Sequence, residues 1–263
     1  MTFRVAKQII YGTFYIVVWV AVIFGVHAVF FRPKPLPPPV AVVQPVAVLG
    51  VNVFTASPGH YTFLAKIANQ NADFAAQYFP FSFDLYSDSG AIVQSLPGAS
   101  FLYPSQVKYV VLVNQPVVNG ATQSVEPIAP ETASGTAAIM LQTGWALTIS
   151  ASTTEWIASS SFGQPPDLVV QNVSTQIGSP TANSAGTALA TGEVVNNDTA
   201  TFKNIFIVAV FKDASGNPIG ASQTELSDMQ PNSTEHFSVS YPVIPGLNPA
   251  ATEVDAYAVR GYY

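Results

Sequence analysis

Few side chains in this sequence have the type and spacing that chemistry needs. Three histidines, His27, His60 and His236, are scattered through 263 residues that contain no cysteine. Thiol catalysis, a disulfide framework and a cysteine zinc site are therefore excluded. His60 and His236 alone could share a site beyond the first thirty residues, and they lie too far apart in sequence to suggest a metal centre. Two turns carry oxygen donors of the kind calcium takes, Asp84 with Asp88 and Asp213 with Asn217. Neither has the ligand count of a dedicated loop, so both read as hairpin turns in which a short polar side chain satisfies its own backbone. No Gly-x-Ser-x-Gly elbow occurs. The one Ser-x-x-Lys match, Ser105-Gln106-Val107-Lys108, runs into a strand-like segment, where residues three apart point to opposite faces. Lys108 is thus not expected to activate Ser105. Paired carboxylates for glycoside hydrolysis are defined in space and stay open at the level of sequence. Asn172, Asn197 and Asn232 each begin an Asn-x-Ser/Thr triplet. No catalytic, cofactor-binding or metal-binding residue is assigned, and the chain is expected not to be an enzyme.

The elements that must position these residues begin with an uncharged, almost wholly apolar run at 9–31, followed by Arg32, Pro33 and Lys34. At about 1.5 Å per residue it makes a helix roughly 34 Å long, enough to cross a hydrocarbon core of about 30 Å. The lipid bilayer is its expected partner. The leader, 1–8, carries Arg4, Lys7 and the terminal amine and is expected on the cytoplasmic side of the cell membrane. Arg32 and Lys34 balance the two basic side chains, so the amine tips the orientation. A cleaved signal peptide is the rival, because Val26-His27-Ala28 fits a small-x-small cleavage site. Against cleavage, the run continues through Val29, Phe30 and Phe31 and exceeds the roughly 7 to 15 residues of a signal core.

Beyond Lys34 the chain is acidic. Lys66, Lys108, Lys203, Lys212 and Arg260 face all fifteen acidic residues, which argues against a nucleic-acid partner. Only 9% of residues are charged and 49% are hydrophobic, a composition that suits turn-rich, all-β exported domains. Prolines at 33, 35, 37, 38, 39 and 45 make 32–45 a polyproline spacer of roughly 40 Å at about 3.1 Å per residue. Period-two strand runs follow at 46–53, 61–67, 79–86, 107–113, 137–141 and 145–149, bounded by Gly, Pro, Asn or Ser. Phe79, Phe81, Phe83, Trp145 and Trp156 read as core, and Tyr257, Tyr262 and Tyr263 close the chain around a final strand.

After a Ser, Gly and Pro-rich linker at 159–166 the pattern starts again. Asn69-Gln70-Asn71 is echoed by Asn196-Asn197-Asp198, and the run 81–90 by 207–216, each ending in an Asp-and-Gly hairpin. Pro104 and Pro231 then precede a Ser and a further strand in each half. This predicts an all-β chain of two tandem Ig-like antiparallel sandwiches, 46–158 and 167–263, preceded by one transmembrane helix.

Phe83-Asp84-Leu85-Tyr86-Ser87-Asp88-Ser89-Gly90, with its Asn-rich turn before and apolar-Pro segment after, resembles the FxLYD domain, an Ig-like sandwich of exported bacterial and archaeal proteins. Here Ser87 separates Tyr86 from Asp88, and the second copy keeps only Phe211 and Asp213. The resemblance implies an extracytoplasmic location and a binding or architectural role, with no catalytic residues to carry over. The expected function is a membrane-anchored interaction or scaffold protein of the cell envelope that contacts an envelope protein or surface polymer. The alternative is an accessory subunit of a secretion, pilus or transport assembly, for which Ala21 and Gly25 offer a small-xxx-small helix face.

Overall fold

The structure, a computed structural model, describes residues 2–30, 42–87, 89–117, 136–140, 145–150, 153–178 and 186–260. The proline-rich spacer up to residue 41, Asp88, Tyr262 and Tyr263 lie outside these residues. The chain divides into two units, Met1–Val42 and Val43–Tyr263.

In the first unit, α1 spans Thr2–Phe30. It starts seven residues before the apolar run because nothing in the leader breaks a helix: Arg4 and Lys7 are good helix formers. Ile10–His27 has a mean hydropathy of 1.9, and the helix is long and apolar enough to cross a membrane.

The second unit is built from antiparallel strands. In chain order they are β1 (Ala47–Ser57), β2 (His60–Ala68), β3 (Phe74–Tyr86), β4 (Ile92–Leu102), β5 (Val107–Pro116), β6 (Thr136–Met140), β7 (Trp145–Ser150) and β8 (Glu155–Ala158). After a helical turn, α2 (Ser159–Phe162), come β9 (Leu168–Ile177), β10 (Thr187–Asn196), β11 (Phe202–Lys212), β12 (Pro218–Met229), β13 (Thr234–Pro242) and β14 (Glu253–Ala258). The first half sets a sheet ordered β1-β2-β5 against one ordered β4-β3-β7-β6, with β8 pairing β3 beyond β7. In the second half β9-β10-β13 faces β12-β11-β14. The wiring is the same: first, second and fifth strands in one sheet, and in the other the fourth, the third and a closing strand. That closing strand is β14 in the second half and is split into β7 and β8 in the first.

Alternation explains which faces meet. Phe63, Phe79, Phe83, Leu85, Trp145 and Leu147 fill the first sandwich, and Phe202, Ile205, Ile207, Phe211, Phe237 and Val239 the second. Trp145 meets Phe63 edge-on at 4.6 Å. The central strands β2 and β11 break the alternation, because they are apolar on both faces. Leu64 on β2 and Val208 and Val210 on β11 turn away from their own sandwiches and join Phe101, Tyr103, Tyr109, Val111 and Tyr257 in a third core. That core packs the back of β1-β2-β5 on the back of β12-β11-β14. The segment 159–166, expected as a linker, takes part: Phe162 of α2 is buried there, 4.8 Å from the Tyr103 ring. An aromatic residue in a short connection has apolar area to hide, and the third core hides it.

The echoed turns form the same set of bonds, at the same spacing except that the first acceptor lies five residues on in one and four in the other. Asn69 Nδ2 donates to Phe74 O at 2.7 Å and Tyr103 O at 3.0 Å, and Asn69 Oδ1 accepts from Asn71 N at 2.9 Å. Asn196 Nδ2 donates to Ala200 O and Gln230 O, each at 2.9 Å, and its Oδ1 accepts from Asp198 N at 3.0 Å. The backbone N–H of Asn69 donates to Gln106 O and that of Asn196 to Ser233 O, each at 2.9 Å. The hairpins after β3 and β11 match too: Gly90 N donates to Ser87 O and Gly216 N to Asp213 O, with both glycines at positive φ.

Candidate functional site

Most of the polar residues singled out in sequence turn out to be structural. Asp84 is not at a loop tip. It is buried mid-sheet on β3, where its carboxylate accepts from Ser82 Oγ at 2.9 Å and Ser95 Oγ at 2.5 Å, so its oxygens are spent within the sheet. Asp213 Oδ1 accepts from Ser215 N and Asn217 N, both at 2.8 Å, and its Oδ2 from Asn217 Nδ2 at 3.1 Å. These donors hold its carboxyl below the ordinary range, first through the Asn217 backbone. In the first half the matching position is Ser87, whose Oγ accepts from Ala91 N at 3.2 Å. Ser105 is exposed in a turn at φ 55° while Lys108 is buried, so the two are not brought together. His60 Nδ1 lies 3.3 Å from Pro58 O, and the exposed His236 lies 3.6 Å from Glu193. No cluster of metal-ligating side chains occurs among the described residues. Asn172 is committed to Glu193, donating to its carboxylate at 2.8 Å.

The titratable groups that do converge lie on the third core, along β5, β11 and β14, and sequence reading did not single them out as a group. Alternation sends Tyr109 and Tyr257 to the faces that meet. The Tyr257 hydroxyl accepts from Tyr109 N at 3.1 Å and donates to Asp255 Oδ2 at 3.0 Å. It thereby satisfies a backbone donor on β5, an edge strand of its sheet. The Tyr109 hydroxyl donates to Glu253 Oε2 at 3.3 Å, and Glu253 is ion-paired with Lys212. Burial and the neighbouring Glu253 charge push Tyr109 up to about 12. Burial above all, then Asp255, drives Tyr257 far higher still. Asp255 is raised, mainly by burial. Burial opposes the ionisation of Glu253, but Lys212 outweighs it and holds the carboxyl low.

A second stitch closes the other end. Arg260 N donates to the Tyr103 hydroxyl at 3.0 Å, Arg260 Nε to Gln164 O at 3.1 Å, and the guanidinium takes both oxygens of the buried Asp198. One residue therefore ties the first half, the connection and the second half together, reaching the first half through its backbone N–H and the connection and the second half through its guanidinium.

Between the stitches is a cavity of about 200 Å³ lined by Phe81, Phe101, Lys108, Val110, Leu112, Phe206, Val208 and Tyr257, among others. Lys108 is 4% exposed, and burial pushes its amine well below the usual lysine range. Its Nζ lies 3.4 Å from Phe101 O, 3.4 Å from the centre of the Phe101 ring and 5.0 Å from that of Tyr257. As a charged group on a strand it reads in sequence as solvent-facing. Phe206, Val208 and Tyr257 of the second half line the space beside it, which no local pattern announces. Searches against protein-family models and against curated proteins each find no match for the chain.

Proposed function

We propose that this protein is a membrane-anchored, extracytoplasmic interaction or scaffold protein of the cell envelope, non-enzymatic, whose two Ig-like FxLYD-type modules act as one rigid arm. The carrying observation is the seam: a third apolar core stitched by Tyr257, Tyr109 and Arg260 across the two halves. An interface of that kind fixes the direction of one module relative to the other, which a presenting arm requires. The length and hydropathy of α1 support anchoring through residues 9–31, and Arg4 and Lys7 support a cytoplasmic N-terminus on the cell membrane. β9 supports a protein or polymer partner: it ends its sheet and exposes Val169, Val173 and Ile177 along that edge. A second reading, an accessory subunit of a secretion, pilus or transport assembly, rests on Ala21 and Gly25, one turn apart on α1.

The absence of cysteine makes topology testable with single introduced thiols. Ser215→Cys, at an exposed hairpin tip, is expected to react with a membrane-impermeant maleimide in intact cells, and Thr2→Cys only after lysis. The reverse pattern overturns the orientation. In-cell crosslinking followed by mass spectrometry separates the two readings. Soluble envelope proteins, polymer fragments or self-crosslinks favour the scaffold, and one defined set of membrane proteins favours the subunit.

A further inference from the structure

Lys108 is the least expected group in the fold. A buried ammonium is costly without a counter-charge, and in this position a methionine would fill the same space at no desolvation cost. Four ion pairs form among the described residues, Lys203–Asp228, Lys212–Glu253, His236–Glu193 and Arg260–Asp198, and none includes Lys108. The titratable groups packed around it are already engaged. On β14, Glu253 is held by Lys212 and Tyr109, and Asp255 by the Tyr257 hydroxyl, which also takes Tyr109 N. On β2, Lys66 adds positive charge near the Tyr109 ring, 5.2 Å from its centre. The amine makes one long bond, to Phe101 O at 3.4 Å, and once protonated would offer three donors. The space beside it is apolar, lined by Phe81, Phe101, Val110, Leu112, Phe206 and Val208, with the exposed Gln223 also on its wall.

We propose that this cavity binds a small monocarboxylic acid with an apolar body about the size of one aromatic ring, its carboxylate paired with the Lys108 amine. The size follows from volume. An apolar cavity of about 150 Å³ holds benzene, and about 200 Å³ leaves room for a carboxylate beside the ring. Charge sets the class: among the described residues the pocket has a donor with no counter-ion, so an anion supplies the missing partner, and a neutral or cationic ligand does not. Binding then draws a proton onto Lys108, because the carboxylate favours the charged amine that burial alone disfavours.

The probe is benzoate, added to the full-length chain in detergent with its lysines carbon-13 labelled at the ε position. Benzoate is expected to move the Lys108 ε-methylene resonance saturably to the protonated position, with uptake of about one proton per ligand. Benzyl alcohol, with the same ring and no charge, is expected to bind at least about tenfold more weakly. Lys108→Met removes saturable benzoate binding. Because that variant also alters the core, Gln223→Trp is the second test: it changes an exposed wall residue, leaves the amine in place, and is expected to weaken benzoate by about tenfold or more. Three results overturn the proposal: a Lys108 already protonated at neutral pH without benzoate, equal affinity for benzoate and benzyl alcohol, or no saturable binding up to about 10 mM.

Discussion

Replacing Asn196 with alanine tests both the turn that recurs in each half and the seam that joins them. The side chain is fully buried and makes three bonds, to Ala200 O, Gln230 O and Asp198 N. Alanine leaves two carbonyls and one N–H without that partner. At about 1 kcal/mol net per bond the cost is about 3 kcal/mol, and more where water cannot reach the abandoned groups. In a cooperative unit of this size 1 kcal/mol moves Tm by roughly 2–4 °C, so the expected drop is roughly 6–12 °C. Asn196→Asp is expected to cost at least as much, because it removes both Nδ2 donors and aims a carboxylate at two carbonyls. The assay is urea unfolding of the full-length chain in detergent, followed by far-ultraviolet circular dichroism and by tryptophan fluorescence. Trp145 and Trp156 belong to the first half, and Trp19 to α1. A substitution in the second half reaches the first-half tryptophans only through the seam. If the seam couples the halves, both signals shift together to a lower midpoint. Should fluorescence hold its wild-type midpoint while circular dichroism splits into two transitions, the coupling is refuted. A loss below about 1 kcal/mol by both signals refutes the accounting of the turn.

Two further outcomes follow from the stitches. The Asp198 carboxyl is opposed by burial but held below its ordinary range by Arg260 and backbone donors, so its stabilisation is present above the unfolded value of about 3.9 and is lost as pH falls through and below it. Arg260→Ala leaves burial unopposed by the guanidinium, and an acid titration followed by fluorescence is expected to show its unfolding midpoint at a higher pH than wild type. Tyr257→Phe strips the acceptor from Tyr109 N and the donor from Asp255, and is expected to lower urea stability by about 1–2 kcal/mol, whereas Tyr109→Phe, which loses only the 3.3 Å bond to Glu253, costs about 0.5–1 kcal/mol.

The parts of the fold visible in sequence are those set by neighbours along the chain. Period-two runs mark the strands, and the Asn-rich turns at 69 and 196 mark the strand ends, because an Asn side chain that bonds its own downstream backbone is a local device. The match of 81–90 to 207–216 sets Ser87 opposite Asp213, and the two do the same work, since a hydroxyl can accept the same backbone donor as a carboxylate. Asp84 reads as part of the oxygen-rich turn with Asp88, yet two serine hydroxyls satisfy it inside the sheet. The third core did leave a signal in the unbroken apolar run 205–211. A strand in a two-sheet sandwich needs one apolar face, so a run apolar on both faces says that something covers its back. What it does not say is which surface does the covering. That packing joins β2 and β11, over a hundred residues apart, and it brings Phe206, Val208 and Tyr257 to the wall of the Lys108 cavity.

The chemistry of the seam argues that it is specified rather than incidental. A purely apolar junction between two sheets would tolerate sliding, because dispersion and hydrophobic burial are nearly indifferent to register. Here the contact is pinned at two separated places by directional groups, the Tyr257–Tyr109–Asp255 chain at one and the Arg260–Tyr103–Asp198 set at the other. Sliding or rotation of one half would strand the edge N–H of Tyr109 and part the Tyr103 hydroxyl from Arg260 N, leaving buried polar groups without partners. The same pinning keeps the cavity walls in place: Phe206, Val208 and Tyr257 come from the second half, and Phe81, Phe101 and Lys108 from the first. A ligand that pairs with Lys108 while touching both sets of walls would bind only the joined arrangement, and would thus stabilise the arm by the free energy of its own binding.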